Sequence, residues 1–369
     1  VTVRALRFPR LTPARKYTSE QRFTLKVVRG VVEKVNKKYH KKSADGVLST
    51  LKESIFSTPR IFVKTGIVPI DAIVSYGQGF PSGIIEIFGP EGSGKTAVLE
   101  KALSKAQQLN YYAIIFPTEF SLNYRRVKTV GLDENRLIVG DAATIEDVYE
   151  QIRDIVLSIR EKDKDAPIVI GWDSVAATPT RAELRAKKGT DKASLETSDM
   201  GGAARQISKL FRRMVRFLFK NNVCLICINQ TRTNLAQMYG SKETTYGGKA
   251  LKFYAWVRCR IARIGIIKGK EDNEIGFMCE LKTIKNKFGA APLKTCKVPI
   301  FWDRGIDNDW AVWEYAIAMN VLKLKGRFYR FEGKLVTRKK FPQFYRENRK
   351  LINRLLIQET LMKERGESE

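Results

Sequence analysis

The sequence predicts an α/β protein: a P-loop core with a mostly parallel central sheet, a small N-terminal helical appendage and a small C-terminal α+β domain. Three observations carry this expectation. A full G-x-x-x-x-G-K-T stands at Gly89-Pro90-Glu91-Gly92-Ser93-Gly94-Lys95-Thr96. Around it, apolar runs of strand length alternate with helix-period segments, the pattern of a parallel sheet with helices on both faces. Polar residues suited to phosphate chemistry also follow successive predicted strands, at the sheet edge where ligands of open α/β sheets bind.

In chain order, residues 1–18 carry five basic residues, no acidic ones and two prolines, and read as an extended basic arm. From Ser19 to about Lys38, Phe23, Val27, Val31 and Val35 recur at four-residue steps and predict a helix. Residues 43–83 read as a short turn-rich lead-in. Ile84-Ile85-Glu86-Ile87-Phe88 is the strand before the P-loop, and residues 97–109 are the helix after it. Further strands are expected at 111–116, 136–139, 167–172 and 223–229, with helices at 121–130, 144–160 and 202–220. Consecutive strands fill 251–300, and 308–365 is helical or mixed. The resulting division is an arm and helix over 1–45 that serves self-association, a core over 46–306, and a small basic domain over 307–369.

Composition narrows the function. The 67 Lys and Arg against 39 Asp and Glu give a net charge of +28, which points to a polyanion partner such as nucleic acid. A solvated basic surface is the plainer alternative. Within 321–354 there are 12 Lys and Arg against Glu332 and Glu347, so the charge is clustered. No apolar run approaches the roughly 20 residues that span a bilayer, so a soluble protein without a membrane partner is expected. Five scattered cysteines suggest a reducing compartment rather than a disulfide framework. Cys224 and Cys227 fall in a strand-like run, where positions i and i+3 face opposite ways, so packing explains them better than a shared metal. His40 is the only histidine, which disfavours histidine-based acid–base chemistry.

Each strand end offers one chemical group. The glycine turn lets backbone N–H groups converge on phosphate oxygens at a helix N-terminus. Lys95 can reach the β- and γ-phosphates and Thr96 can bind Mg²⁺. Glu119, after the strand at 111–116, can orient or deprotonate a water. Asp173 ends the run Ile168-Val169-Ile170-Gly171-Trp172 and can hold the same Mg²⁺. Gln230, after 223–229, can touch the γ-phosphate and report its presence. Taken alone, Glu119 and Gln230 could each be an ordinary solvated loop residue; together the four strand ends describe a nucleotide hydrolase. Two long polar segments, 178–200 and 231–248, interrupt the core and suit functional loops. The first carries Arg181, Arg185, Lys187, Lys188 and Lys192 and leads into a helix with a basic face.

The run from Leu48 to about Gly333 resembles the RecA family of strand-exchange ATPases. The resemblance rests on Phe80-Pro81-Ser82-Gly83 through Glu91, Trp172-Asp173-Ser174-Val175-Ala176-Ala177 and Asp199-Met200-Gly201-Gly202-Ala203-Ala204-Arg205. It extends to Ile228-Asn229-Gln230-Thr231-Arg232, Glu243-Thr244-Thr245-Tyr246-Gly247-Gly248 and Lys285-Asn286-Lys287. It implies ATP and Mg²⁺ at the interface between successive subunits of a head-to-tail helical filament on single-stranded DNA, which pairs with homologous duplex DNA. Glu119 would be the catalytic glutamate and Gln230 the γ-phosphate sensor, while Lys285 and Lys287 would complete a neighbour's site. The two loops would bind DNA through Met200, Gly201 and Arg205, and through Arg232, Met238, Tyr239, Glu243, Thr244, Gly247 and Gly248.

Departures accompany the resemblance. The loop before Met200 is long and basic. Asn123 and Arg126 stand where the family usually has an acidic residue and a tyrosine near adenine. The C-terminus has only Glu364, Glu367 and Glu369, mixed with Lys363 and Arg365, where bacterial members usually carry an acidic tail that restrains DNA binding. A divergent phage or organellar member would suit these differences. The expected location is the cytoplasm of a bacterial cell or phage-infected host, with an organelle as the alternative. Two other functions use the same core: an ATP-binding filament or mediator without turnover, and a ring helicase.

Overall fold

The computed structural model describes residues 30–31, 33–35, 61–119, 124–186, 200–233, 243–246, 250–288 and 290–366. The chain falls into two compact units, Val1–Pro59 and Arg60–Glu369. In the first, residues 30–31 and 33–35 are helical, inside the stretch predicted as a helix. The rest of that prediction, and the basic arm, lie outside the described residues.

The second unit opens with β1 (Phe62–Val63), α1 (Val68–Ser75), β2 (Phe80–Pro81) and β3 (Gly83–Gly89). The P-loop and α2 (Lys95–Gln108) follow, then β4 (Tyr112–Phe116), α3 (Tyr124–Thr129), β5 (Leu137–Val139), α4 (Ile145–Lys162) and β6 (Ile168–Trp172). Next come α5 (Arg181–Ala186), α6 (Met200–Lys220), β7 (Val223–Thr233), β8 (Glu243–Thr245) and α7 (Ala250–Tyr254). The chain continues through β9 (Val257–Lys268), β10 (Glu274–Asn286), β11 (Thr295–Phe301), β12 (Gly305–Ile306) and α8 (Asn308–Ala318). A small sheet of β13 (Lys323–Lys325), β14 (Phe328–Phe331) and β15 (Lys334–Val336) precedes the last helix, α9 (Phe341–Arg365).

The main sheet runs β12-β11-β10-β9-β3-β7-β6-β4-β5, with β8 hydrogen-bonded to β7. From β9 through β3 to β5 every pairing is parallel; β9-β10-β11-β12 is antiparallel. The mostly parallel core is therefore present. Its central strands are buried on both faces, which is why they read as continuous apolar runs. Alternate residues feed two cores. Ile85, Ile87, Ile226 and Ile228 pack on one side with α1, α2 and α8; Ile84, Leu225, Ile168 and Ile170 pack on the other with α4 and α6. Cys224 belongs to the first core and Cys227 to the second, on opposite faces of β7.

Several elements depart from the expectation: α5 forms inside the segment read as a loop over 178–200, and α7 opens the stretch read as consecutive strands. The lead-in contains the helix α1, whose residues from Pro69 to Ser75 are all buried. A helix that is apolar nearly all round shows no 3.6-residue stripe, and its early proline suits a helix start as well as a turn. Strand β7 also continues past Gln230, because Thr231, Arg232 and Thr233 pair with Thr245, Thr244 and Glu243. At the C-terminal end, Trp313, Phe341 and Tyr345 share one apolar core with Ile85.

Candidate active site

Two glycines of the P-loop at the end of β3 have no room for a side chain. A Cβ at Gly89 would lie 2.0 Å from the Ile261 carbonyl oxygen. Gly94, with φ of +91°, would drive one to 2.3 Å from Ile300 Cδ1. The turn delivers Lys95 into the first turn of α2, where the helix dipole opposes a cation. Lys95 is buried, and its Nζ donates to the Gly89 and Pro90 carbonyls at 3.2 and 2.6 Å. Burial lowers its pKa, against the pull of Asp173, Glu119 and Glu91. A buried cation at the positive end of a helix is satisfied best by an anion, and phosphate fits that description.

Thr96 Oγ1 donates to Asp173 Oδ2 at 2.7 Å, joining α2 to the end of β6. Asp173 is buried, and its Oδ1 has no hydrogen-bond partner. Burial, with a smaller push from Glu119, raises its pKa to about 6 despite the Thr96 bond and the nearby Lys95 and Arg126. A carboxylate held this way, one oxygen bonded to a hydroxyl and one unsatisfied, is chemically suited to a divalent cation.

Beyond β4, Glu119 accepts from Ser174 Oγ and from Gln230 Nε2 on the same oxygen, the latter at 3.2 Å. A cleft of about 760 Å³ is lined by Glu91, Lys95, Thr96, Glu119, Asp173 and Gln230 among others. Five expected groups from four strand ends thus meet at one opening. Lys285 and Lys287 do not. Strand β10 runs antiparallel to β9, so Lys285 sits level with Arg258 and Glu86, and Lys287 bonds the Trp256 carbonyl still farther from the P-loop. Lys285 Nζ donates instead to the Lys252 and Phe253 carbonyls of α7 at 2.8 and 2.9 Å.

A sequence profile of the RecA N-terminal domain matches residues 26–307. The chain belongs to the RecA family. Protein RecA of Corynebacterium glutamicum (strain R) is 36% identical over 272 residues, covering 73% of this chain and 68% of that one. Protein RecA of Corynebacterium urealyticum is 33% identical over 296 residues (79% and 76%), and that of Chlamydia muridarum 34% over 275 (74% and 73%). As a RecA-family member the chain is a recombinase and a DNA-dependent ATPase; filament formation and strand exchange follow from membership.

The expected DNA-contacting residues of this RecA-family chain flank or fall within the segments 187–199, 234–242 and 247–249, which lie outside the described residues. Met200 and Gly201 begin α6, and Arg205 is exposed one turn later. Arg232 in β7 is paired through its backbone with Thr244 in β8, and Glu243 pairs with Thr233. Met238, Tyr239, Gly247 and Gly248 lie outside the described residues, as does Asn123. Arg181, read as part of the basic loop, is occupied: its guanidinium bonds Asp147 and Glu150, both at 2.6 Å, and pins the start of α5 to α4.

The sequence reading missed the outer wall of the cleft, where Arg263, Phe277 and Trp302 stand. Phe277 and Trp302 are in ring contact at 4.9 Å, and the Arg263 guanidinium lies 5.1 Å from the Phe277 ring centre. A signal existed for Trp302. Strand β11 runs parallel to β3, so the residue after it belongs to the same sheet edge as the P-loop. Arg126 lines this side too and is tied to the buried Glu100 at 2.8 Å. Among the described residues, no helix is long and apolar enough to cross a membrane.

Proposed function

We propose that the cleft binds ATP with Mg²⁺ and hydrolyses it under the control of single-stranded DNA, in a head-to-tail filament of this chain that engages homologous duplex. The observation that carries the reading is the convergence of Lys95, Thr96, Asp173, Glu119 and Gln230 on one opening.

Backbone N–H groups of 92–95 would hold phosphate oxygens, and Lys95 would exchange the Gly89 and Pro90 carbonyls for them. Thr96 and Asp173 would hold Mg²⁺, which when bound neutralises phosphate charge. Glu119 would orient the attacking water and accept its proton, with Ser174 and Gln230 fixing the carboxylate. Gln230, at the root of the 231–248 segment, would register the γ-phosphate. Lys285 and Lys287, remote from the chain's own P-loop, would serve a neighbour's nucleotide in the manner of arginine fingers. A non-closing contact of this kind yields a filament. The loops at 178–200 and 231–248 and the exposed basic face of α6 would hold the DNA backbone, so binding would be sequence-tolerant and salt-dependent. A cytoplasmic setting, bacterial or phage-infected, fits such work, with an organelle as the alternative.

The deciding measurement is ATP hydrolysis with and without single-stranded DNA, repeated on Glu119→Gln. Strong stimulation that the substitution abolishes is expected. Binding of both ligands without stimulated turnover would refute the enzyme reading in favour of a mediator.

A further inference from the structure

A buried polar chain crosses the sheet behind the cleft. Glu86, in the middle of β3, is fully buried, an unusual place for a carboxylate. Its Oε2 is paired with Arg258 Nε of β9, and the Arg258 guanidinium lies 4.5 Å from the centre of the Phe88 ring. Its Oε1 accepts from Asn229 Nδ2 of β7 at 3.0 Å. Asn229, also fully buried, engages both ends of its side-chain amide. The same Nδ2 donates to the Tyr246 carbonyl at 3.1 Å, and Oδ1 accepts from the Gln230 backbone N–H at 3.0 Å. One asparagine therefore touches both the residue that contacts Glu119 and the return end of the 231–248 segment.

On the far side of Arg258, the neighbouring strand reaches α7, which follows the segment. Arg258 pairs in register with Lys285, and Lys285 grips the α7 carbonyls a few residues beyond Tyr246. A buried ion pair is weak support for stability as such, whereas it can fix a unique arrangement. Here the arrangement fixed is the orientation of Asn229.

We propose that Glu86 is a positioning residue which, by locking Asn229 between Gln230 and the Tyr246 carbonyl, couples occupancy of the 231–248 segment to the placement of Gln230 against Glu119. The coupling rests on the reading above that this segment takes DNA and that the cleft turns over ATP. Movement of Tyr246 would break one of the two bonds made by Asn229 Nδ2. The asparagine would then be free to shift, and Gln230 with it.

The test is a polarity swap in the full chain, Glu86→Gln with Asn229→Asp. The amide introduced at 86 can donate to the carboxylate introduced at 229 while its oxygen still accepts from Arg258. The Gln230 N–H keeps its acceptor. The Tyr246 carbonyl loses its donor and faces a carboxylate oxygen instead, which breaks the link to the segment. Affinities for a non-hydrolysable ATP analogue and for a fluorescent oligonucleotide should stay within about twofold of the natural chain, while the stimulation of ATPase by DNA falls about tenfold, the scale of one lost buried hydrogen bond. Natural stimulation in the swapped protein would overturn the coupling. Weakened binding of both ligands in a folded swap would overturn it too, by making the network merely structural. If the pair does not fold, Glu86→Gln alone is measured, since the new amide must set a donor against either Asn229 Nδ2 or Arg258 Nε, and unchanged stimulation there is equally fatal. Absence of stimulation in the natural chain would instead defeat the functional reading itself.

Discussion

Gln230 Nε2 stands 3.2 Å from Glu119 Oε1, although Gln230 lies in β7 and Glu119 follows β4, strands separated in the sheet by β6. The two side chains close over the end of the intervening strand, where Asp173 and Ser174 lie. Replacing Gln230 with Ala leaves Ser174 Oγ, among the described residues, as the remaining donor to that carboxylate oxygen. We expect DNA-stimulated turnover to fall by tens of fold, short of the roughly 10²–10⁴ associated with loss of a general base. Nucleotide affinity should change little. Steady-state ATPase assays beside equilibrium nucleotide titration check both.

Lys95 is held by two carbonyls of its own loop, so its removal should spare the fold while stripping the phosphate ligand. Lys95→Ala is expected to weaken ATP affinity by at least tenfold, read by calorimetric titration. Its melting temperature should not fall, because burial already works against this ammonium. Unchanged ATP affinity would remove the lysine from the cradle.

Burial, then Lys287 and Arg258, lower the pKa of Lys285 to about 8, with Glu86 opposing. The ammonium is present below that value and lost as pH rises through it. If it serves a neighbour's nucleotide, DNA-stimulated turnover should decline between about pH 7 and pH 9. Lys285→Arg should flatten the decline, since a guanidinium stays charged. Lys285→Ala should depress stimulated turnover with the monomer still folded. A mutant with the natural pH profile and rate would contradict the assignment.

Glu364 does not behave as an acidic tail. It accepts from Tyr76 Oη at 2.7 Å, from the Ala291 N–H at 2.5 Å and from Lys294 Nζ at 2.7 Å, anchoring α9 to the core. Burial works to raise its pKa, but the bonds from Lys294, Tyr76 and Ala291 outweigh it and the net shift is downward. Its stabilisation is therefore complete above about pH 4.3, the unfolded value, and disappears as pH falls through the lower folded value. Glu364→Ala should cost about 1–3 kcal/mol at pH 7 and progressively less toward pH 3, followed by thermal melts. Truncation after Gly366 leaves this anchor in place and is the appropriate variant for testing whether the terminal acids restrain duplex binding.

The sequence made the parallel core readable because buried strands announce themselves as apolar runs, and because each such run ends on a group with a job. The glycine motif marked Lys95 and Thr96, the strand-end rule added Glu119, Asp173 and Gln230, and the family resemblance named the roles of Glu119 and Gln230. The same rule, extended to β11, would have reached Trp302, but the consecutive strands of 251–300 hid which of them run parallel to β3. Helix α1 was hidden by its own burial. Glu86 was unreadable for a different reason: a carboxylate inside an apolar run gains meaning only from Arg258, 172 residues away in sequence and adjacent in space.

The separation of Lys285 from its own P-loop sets an arithmetic of ends. If every complete site takes its cleft from one subunit and its lysine from the next, an open row of n subunits contains n − 1 working sites. One terminal subunit always offers an unfinished cleft, and the opposite one a lysine with nothing to act on. Turnover per subunit would then climb steeply over the first few additions and level off, and the two ends would be chemically different objects. Short assemblies would be poor ATPases through geometry alone.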